Sequence, residues 1–345
     1  MSGGVDSSLT AAILLKQGFE VIGVTMLLEN EHFHEKSCCS SKEVETASNV
    51  AQQLGIKFHV LDLREKFRKY VMNYFAAEYF NGRTPNPCVQ CNQKIKFGGL
   101  FDFAMNLGAD YLATGHYARI VSENDRYKLK RALDPKKDQS YVLYHLTPNK
   151  LAKILLPLGN FTKEQTRKLA EELKISTARK PDSQEVCFVP NGDYKIFLRE
   201  FLPNSEALQS GKIVDSTGKI LGEHDGVSNY TIGQRKGLGI YSSRALYVKK
   251  IDVSERKIVV DTNENLYSRH LTARNVLWIY KPTLPEKLTA KIRYGIRFAE
   301  CFVTEEENFL NVEFTEPQRA VTPGQSIVFY DGDEVLGGAI IEGSF

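Results

Sequence analysis

The sequence predicts an α/β protein: a parallel sheet with helices on both faces, followed by two small β-rich units. Three observations carry this reading. Residues 9 to about 115 alternate helical and strand patterns, the order that builds parallel strands through helical crossovers. From about residue 193 the helical periodicity fades, and short strands with glycine turns run to the end. A length of 345 residues exceeds one ordinary core, so two or three domains are expected. We place them at 1–192, 193–268 and 269–345.

The elements follow in order. Ser2-Gly3-Gly4-Val5-Asp6-Ser7-Ser8 opens the chain, and Leu9, Ala12 and Ile13 begin a helical spacing that Gly18 caps. A tight glycine turn entering a helix gathers unpaired N–H groups around one point, and the helix dipole adds to their pull on an anion. The stretch therefore reads as a phosphate-binding loop. No Gly-Lys-Ser/Thr follows, so it is not a Walker-type loop. A loop of this kind normally follows a buried strand, whereas Met1 stands directly before this one; either the start of the chain lies further upstream or the sheet lacks that strand. Residues 21–26 read as a buried strand. Val44, Ala47, Val50, Ala51 and Leu54 mark a helical face closed by Gly55, and 58–61 a second strand. Phe67, Tyr70, Val71, Tyr74 and Phe75 form an apolar stripe, expected in the core. A helix around 96–107 leads into a strand at 110–114. Ligands of parallel sheets sit at the carboxyl ends of strands, which places Ser2–Ser8 and Gly115-His116-Tyr117 on one edge. Thr162-Lys163-Glu164-Gln165 has the form of a capping box and starts a helix ending near Leu173.

Composition excludes several classes. No apolar run approaches a membrane span, and no leader of signal-peptide form is present. A net charge of +3 leaves nucleic-acid contacts to local basic patches. Six cysteines in a chain of this length are not a secreted disulfide framework, and cytoplasmic thiols fit better. Cys88-Val89-Gln90-Cys91 follows Thr84-Pro85-Asn86-Pro87, where two prolines predict an exposed, extended loop. The pair is compatible with half a zinc site, a redox pair or part of an iron–sulfur site. Cys187 is the natural third thiol. Cys38 and Cys39 read as structural, and Cys301 as core. From Lys287 to Arg297, Leu288, Ala290, Ile292, Tyr294 and Ile296 alternate with a face carrying Lys287, Lys291, Arg293 and Arg297. With the loop Tyr230-Thr231-Ile232-Gly233-Gln234-Arg235-Lys236-Gly237-Leu238-Gly239, this face suits backbone phosphates of a nucleic acid.

Ser-Gly-Gly-x-Asp-Ser resembles the pyrophosphate loop of N-type ATP pyrophosphatases. The wider set resembles the tRNA-specific 2-thiouridylase family across nearly the whole chain. Its pieces are the loop at 2–8, Cys-Cys-Ser at 38–40, Asn-Pro-Cys-Val-Gln-Cys-Asn at 86–92 and Ala-Thr-Gly-His-Tyr-Ala-Arg at 113–119. Lys-Asp-Gln-Ser-Tyr at 137–141, the Cys187 segment and the loop at 230–239 complete it. The resemblance implies an ATP pyrophosphatase domain, a central β-rich domain and a C-terminal β-barrel that contacts tRNA. It implies 2-thiolation of the wobble uridine of tRNAs for Lys, Glu and Gln, through an adenylated uridine. ATP, with Mg2+, is expected at Ser2, Gly3, Gly4, Val5, Asp6, Ser7 and Ser8, near Met26 and Gly115. Cys187 is expected to carry sulfur as a persulfide, and Cys91 to release it or close a disulfide. Asn86, Pro87 and Cys88 would meet the target base, which must leave its stack to be reached. His116, Lys137, Asp138, Gln139, Arg293, Tyr294 and Gln325 would meet tRNA. The implied partners are tRNA and a sulfur-donor protein such as a cysteine desulfurase or sulfur relay, in the cytoplasm and without membrane. Cys88 stands where many relatives carry Asp, so a 4Fe–4S cluster on Cys88, Cys91 and Cys187 is the alternative to the persulfide. An adenylating ligase with the same loop, or a tRNA-binding protein without catalysis, are the other readings.

Overall fold

The computed structural model describes residues 1–28, 41–182, 186–189, 192–307 and 309–345. Cys38 and Cys39 lie outside the described residues. The chain forms two compact units. The first comprises Met1–Met72, Pro87–Gly192 and Asp333–Leu336; the second comprises Asn73–Asn86, Asp193–Gly332 and Gly337–Phe345.

In the first unit, helix α1 (Val5–Lys16) begins four residues before the apolar spacing does, so half of the glycine loop is already helix. Its buried positions include Ser8, Leu9, Thr10, Ala11, Ala12, Ile13 and Leu14, so it is enclosed on every side rather than amphipathic. Burying a side chain such as Leu9 or Ile13 contributes roughly 1.5–3 kcal/mol. As predicted, Gly18 (φ +87°) ends the helix. Phe19 N–H bonds Leu14 O and Gly18 N–H bonds Leu15 O, a Schellman cap. Strand β1 (Ile22–Leu27) follows, then α2 (Ser41–Leu54) and β2 (Lys57–Asp62). β1 and β2 run parallel, from Ile22 opposite Lys57 to Leu27 opposite Asp62.

Residues 64–72 form helix α3, burying Phe67, Val71 and Met72. Residues 87–106 form a longer helix. β3 (Leu112–Ala113) comes next, then the hairpin β4 (Ala118–Glu123) and β5 (Arg126–Arg131), then β6 (Ile154–Leu155) parallel to β3. The parallel order is as read from sequence, but among the described residues it comes as two separate two-stranded pieces. The Met1 ammonium donates to Val24 O on β1. A further helix, Lys163–Glu172, starts with the predicted capping box: Gln165 N–H donates to Thr162 Oγ1 (3.2 Å) and Thr162 N–H to Gln165 Oε1 (2.8 Å).

The second unit begins with the helix Asn73–Phe80, which buries Phe75 and Tyr79 against Phe197 and Tyr194 of the helix Tyr194–Phe201. The apolar stripe is thus core at Phe67, Val71 and Phe75, while Tyr70 is exposed. β7 (Gly211–Asp215), β8 (Ile220–His224), β9 (Tyr247–Asp252) and β10 (Lys257–Asp261) make a four-stranded sheet in the order β8-β7-β10-β9. β11 (Tyr267–Trp278), β12 (Glu286–Lys291), β13 (Ala299–Glu306), β14 (Phe309–Arg319), β15 (Ser326–Asp331) and β16 (Glu334–Ser344) follow. They form a barrel, ordered β11-β14-β13-β12-β15-β16 and closed by β16 against β11. Closure removes the unpaired edges of an open sheet. Cys301 is buried in it as expected, and burial pushes its thiol up to about 12.

Candidate active site

The loop is built by two glycines with different duties. Gly3 has φ +67°, and a Cβ there would lie 2.8 Å from Glu43 Oε2 and 2.9 Å from Glu43 O, so only glycine fits. Gly4 caps α1 in extended conformation without a side-chain cap bond. The N–H groups of Val5, Asp6 and Ser7 have no acceptor four residues earlier within the helix, and the dipole of twelve residues stands behind them. Ser7 and Ser8 turn their hydroxyls back onto Gly4 O, at 3.2 and 2.9 Å. Anion recognition here is therefore a backbone property. Gly115 closes the other side: a Cβ would lie 2.8 Å from Asp6 C and 3.0 Å from both Asp6 Cβ and Ser7 N. Met26 is half-buried near the carboxyl end of β1, and Gly115 follows β3. Both stand where parallel-sheet ligands bind.

Asp6 is the loop's charged centre. Lys163 Nζ donates to both of its oxygens at 2.7 and 2.9 Å, and the Tyr117 hydroxyl donates to Oδ1 at 3.0 Å. Burial, with the Asp6 charge adding to it, raises Tyr117 well above the ordinary phenol range, so it remains a donor. Lys163 Nζ also lies 2.8 Å from Asp182 Oδ1, which receives Arg167 at 2.9 Å; Lys137 donates to Asp182 Oδ2 at 2.8 Å. Burial pushes Asp182 up, but the bonds from Lys137 and Lys163 outweigh it and hold the carboxyl below its ordinary value. Lys180 joins Gly3 O (3.1 Å) to Glu43 (2.5 Å). Lys163, Arg167, Asp182, Lys180 and Glu43 were not singled out from sequence as site residues. Their contacts span up to 177 residues, and local spacing holds no trace of them. The one available signal was Lys163 and Arg167, one helical turn apart at a helix start.

The cysteines differ from expectation in setting. Pro87 does not extend a loop; it opens a helix, a position its fixed φ suits. Cys88 and Cys91 therefore lie three residues apart in a first turn, Cys88 exposed and Cys91 half-buried. From Cys91 to Leu100 the helix is wound as π-helix, a form that concentrates at functional sites. Cys187 is half-buried, next to Phe188, whose buried ring meets Phe67 edge-on at 5.6 Å. Among the described residues, no three His, Cys, Asp or Glu side chains are gathered as a metal ion would require. The donor set for a cluster on Cys88, Cys91 and Cys187 is not assembled.

Other expected contact residues lie deeper than a surface role implies. His116 is 5% exposed; its Nδ1 is 2.8 Å from Thr114 Oγ1 and its Nε2 3.4 Å from Lys96 Nζ. Burial, aided by the Lys96 charge, holds it far below its ordinary value and neutral. Asp138 is buried on Ala132 N, Ser140 N and Ser140 Oγ. Gln139 exchanges two bonds with the Tyr117 backbone, at 2.9 and 2.8 Å, fixing 137–141 to the Gly115 turn.

In the second unit, Gln325 is buried and donates to Thr84 O at 2.8 Å, while Thr84 N–H bonds Pro323 O. Arg83 grips Glu78 (2.8 Å) and Glu342 (3.0 and 3.1 Å). The chain entering Asn86 is thereby fixed. The basic strand is shorter than its alternation suggested. β12 ends at Lys291, and a turn with Gly295 at φ +81° breaks the pattern, so Tyr294 and Ile296 are exposed rather than inward. Arg293 donates to Thr322 Oγ1 at 2.7 Å, and Lys287 pairs with Glu300 at 2.9 Å. In the loop 230–239, Gln234 points inward to Thr231 N (3.0 Å), while Arg235 and Lys236 are displayed.

Comparisons with known proteins accord with this arrangement. The model described as tRNA methyl transferase HUP domain matches residues 1–191, the tRNA methyl transferase PRC-barrel domain 195–262, and the Aminomethyltransferase beta-barrel domain 268–341. The tRNA-specific 2-thiouridylase MnmA of Acetivibrio thermocellus is 48% identical over 99% of this chain and 98% of its own length. The chain belongs to the tRNA-specific 2-thiouridylase family. The MnmA proteins of Carboxydothermus hydrogenoformans and Clostridium acetobutylicum are 48% and 44% identical, each over 99% of this chain and covered over 96% and 98% of their own lengths. The family's fold is what the two units display: a HUP domain with parallel strands, a PRC barrel and a closed six-stranded barrel.

Proposed function

We propose that this protein is a tRNA-uridine 2-sulfurtransferase that uses ATP to thiolate the wobble uridine of tRNAs for Lys, Glu and Gln. The full-length identity to 2-thiouridylases carries the reading. It favours thiolation over an adenylating ligase or a tRNA-binding protein without catalysis.

The loop Ser2–Ser8 holds the phosphates of ATP on the N–H groups of α1, with Met26 and Gly115 bounding the adenosine. Magnesium would neutralise the phosphates of the nucleotide, and Asp6 is the carboxylate of the loop that would help hold it. The uracil O2 attacks the α-phosphorus, pyrophosphate leaves, and C2 now carries AMP as a leaving group. The terminal sulfur of a Cys187 persulfide attacks C2, and AMP departs with the oxygen. Cys91 thiolate then attacks Cys187 Sγ, which releases the 2-thiouridine sulfur and leaves a Cys91–Cys187 disulfide for an external dithiol to reduce. Asn86, Pro87 and Cys88 meet the flipped base. His116, Asp138, Gln139 and Gln325, all tied to neighbouring protein groups, hold the surfaces that Lys137, Arg293 and Tyr294 present to RNA. The persulfide comes from a donor protein of the cysteine desulfurase or sulfur-relay kind. We take the persulfide route rather than a cluster; among the described residues three converging ligands are not gathered. No helix among the described residues is long and apolar enough to cross a membrane; a cytoplasmic location is implied by the family resemblance alone.

The test is Cys187→Ser with tRNA, ATP and a persulfide donor. AMP formation is expected to continue while thiolation is lost; full thiolation by this variant refutes the sulfur-carrier role.

A further inference from the structure

Within the second unit, one hydroxyl gathers three partners from three separate segments. Thr231 Oγ1 accepts from Thr84 Oγ1 at 3.3 Å, and the phenols of Tyr79 and Tyr194 both bond the same Thr231 side chain. A hydroxyl has one donor and two acceptor sites, so these partners fill it. Burial pushes the Tyr79 phenol up to about 12 and raises Tyr194 as well, so both stay protonated. Their rings stack 4.5 Å apart between the helices Asn73–Phe80 and Tyr194–Phe201, which holds the two hydroxyls in place. On the chain's other side, Gln234 braces the loop that carries Thr231. Its Oε1 accepts from Thr231 N–H at 3.0 Å, and its Nε2 donates to Lys236 O at 3.0 Å.

Thr84 is the partner that bears on the reaction. It stands two residues before Asn86, and Pro85 between them is buried, with its own φ fixed by the ring. Both backbone ties of Thr84 go to one barrel turn: its N–H bonds Pro323 O at 2.8 Å, and its O accepts from Gln325 Nε2 at 2.8 Å. That turn lies close, since a Cβ on Gly324 would fall 3.0 Å from Thr84 N. Arg83 adds a grip on Glu342 of the same barrel. Two ties to a single turn define an axis and leave rotation about it. The bond to Thr231 reaches a different segment, the glycine loop, and removes that rotation.

We infer that Thr231 is a positioning residue for thiolation: acting through Thr84, its hydroxyl sets the orientation in which Asn86 meets the target uridine. The inference rests on the thiouridylase reading above. It gives the loop 230–239 a second duty. Arg235 and Lys236 are displayed outward for RNA backbone, while Thr231 on the same braced loop turns inward to the segment that reads the base.

The experiment measures tRNA-dependent AMP formation by Thr231→Val, which keeps the shape of the side chain and removes its hydroxyl. A misplacement of 1 Å near reacting groups costs about a hundredfold in rate, so a tilt of half that size lowers kcat about tenfold. The KM values for ATP and for tRNA stay within about twofold, a split that a general loss of structure would not produce. Thr231→Ser restores most of the rate. Thr84→Val lowers kcat to a similar degree, and the double variant is no slower than either single one, because both lack the same bond. Circular dichroism and thermal melts identify any variant that fails to fold; where Thr231→Val fails, Thr84→Val and Thr231→Ser carry the test. A folded Thr231→Val enzyme with the wild-type kcat overturns the inference. So does a raised KM for tRNA at unchanged kcat, which makes Thr231 a binding contact, and so does a double variant whose losses multiply. A wild type that makes no AMP with tRNA removes the underlying reading instead.

Discussion

Gly115→Ala tests the loop geometry most directly. The new Cβ would lie 2.8 Å from Asp6 C and 3.0 Å from Ser7 N, about half an ångström inside ordinary contact at 3.4 Å. The obstacle is backbone, so no side-chain rotation relieves it. Nor can α1 retreat easily, since Leu9 is fully buried and Asp6 is held by Lys163 and Tyr117. Overpacking of this kind costs about 1–3 kcal/mol. For a unit of this size each kcal/mol shifts the thermal midpoint by about 2–4 °C, so a fall of roughly 4–8 °C is expected for the middle of that range. A misplacement of 1 Å near reacting groups costs about a hundredfold in rate, and half that distance about tenfold. The assays are thermal unfolding and tRNA-dependent AMP formation across ATP concentrations. Gly343→Ala is the control, because nothing lies within 4 Å of its Cβ position; it should change stability by less than about 0.5 kcal/mol. A Gly115→Ala enzyme matching wild type in both midpoint and AMP formation refutes the close approach.

Two further outcomes follow from charge. Burial depresses His145 to about 3, so the folded state stays neutral while the unfolded chain takes a proton below about pH 6.5. The contribution is present above pH 6.5 and is lost as pH falls toward 3, at about 1.4 kcal/mol per unit at most, or about 2 kcal/mol between pH 7 and 5. Urea melts of wild type and His145→Phe over that range should differ by this slope, and parallel curves contradict it. Arg235→Ala and Lys236→Ala should each weaken tRNA binding and reduce the slope of log affinity against log salt by about one. Unchanged slopes place these side chains away from RNA phosphate.

The features legible in the sequence were those written in local chemistry. Gly18 and Gly55 end helices because only glycine takes the left-handed turn cheaply, and Thr162 with Gln165 caps a helix within four residues. The strands at 22–27 and 57–62 follow from apolar runs between such signals. Pro87 misled because proline both breaks helices and opens them, and which it does depends on the residues after it. Tyr294 and Ile296 continued an alternation that β12 ends at Lys291, before the turn at Gly295. Lys163 and Arg167 left only their one-turn spacing as a signal and Asp182 left none, because surface-type charges acquire meaning only when folding brings carboxylate and ammonium together. Asp138 lay in a motif, and Gln325 was named through the family resemblance alone; neither signal revealed that the two are inward-facing tethers.

The Arg83–Glu342 pair sets an order of assembly. The two residues are 259 positions apart, and a ribosome adding about 5–20 residues per second needs some tens of seconds to supply the second after the first. β16 closes the barrel over the same stretch of chain, so the long-range ties of the segment leading to Asn86, to Glu342 and Gln325, form only after that stretch is made, while the Arg83–Glu78 bond needs no later residue. The nascent protein can supply its nucleotide loop long before β16 is made, yet the entry to its base-recognition segment gains its ties to the barrel only when that strand emerges. Loss of that strand would silence the enzyme from the far end of the polypeptide.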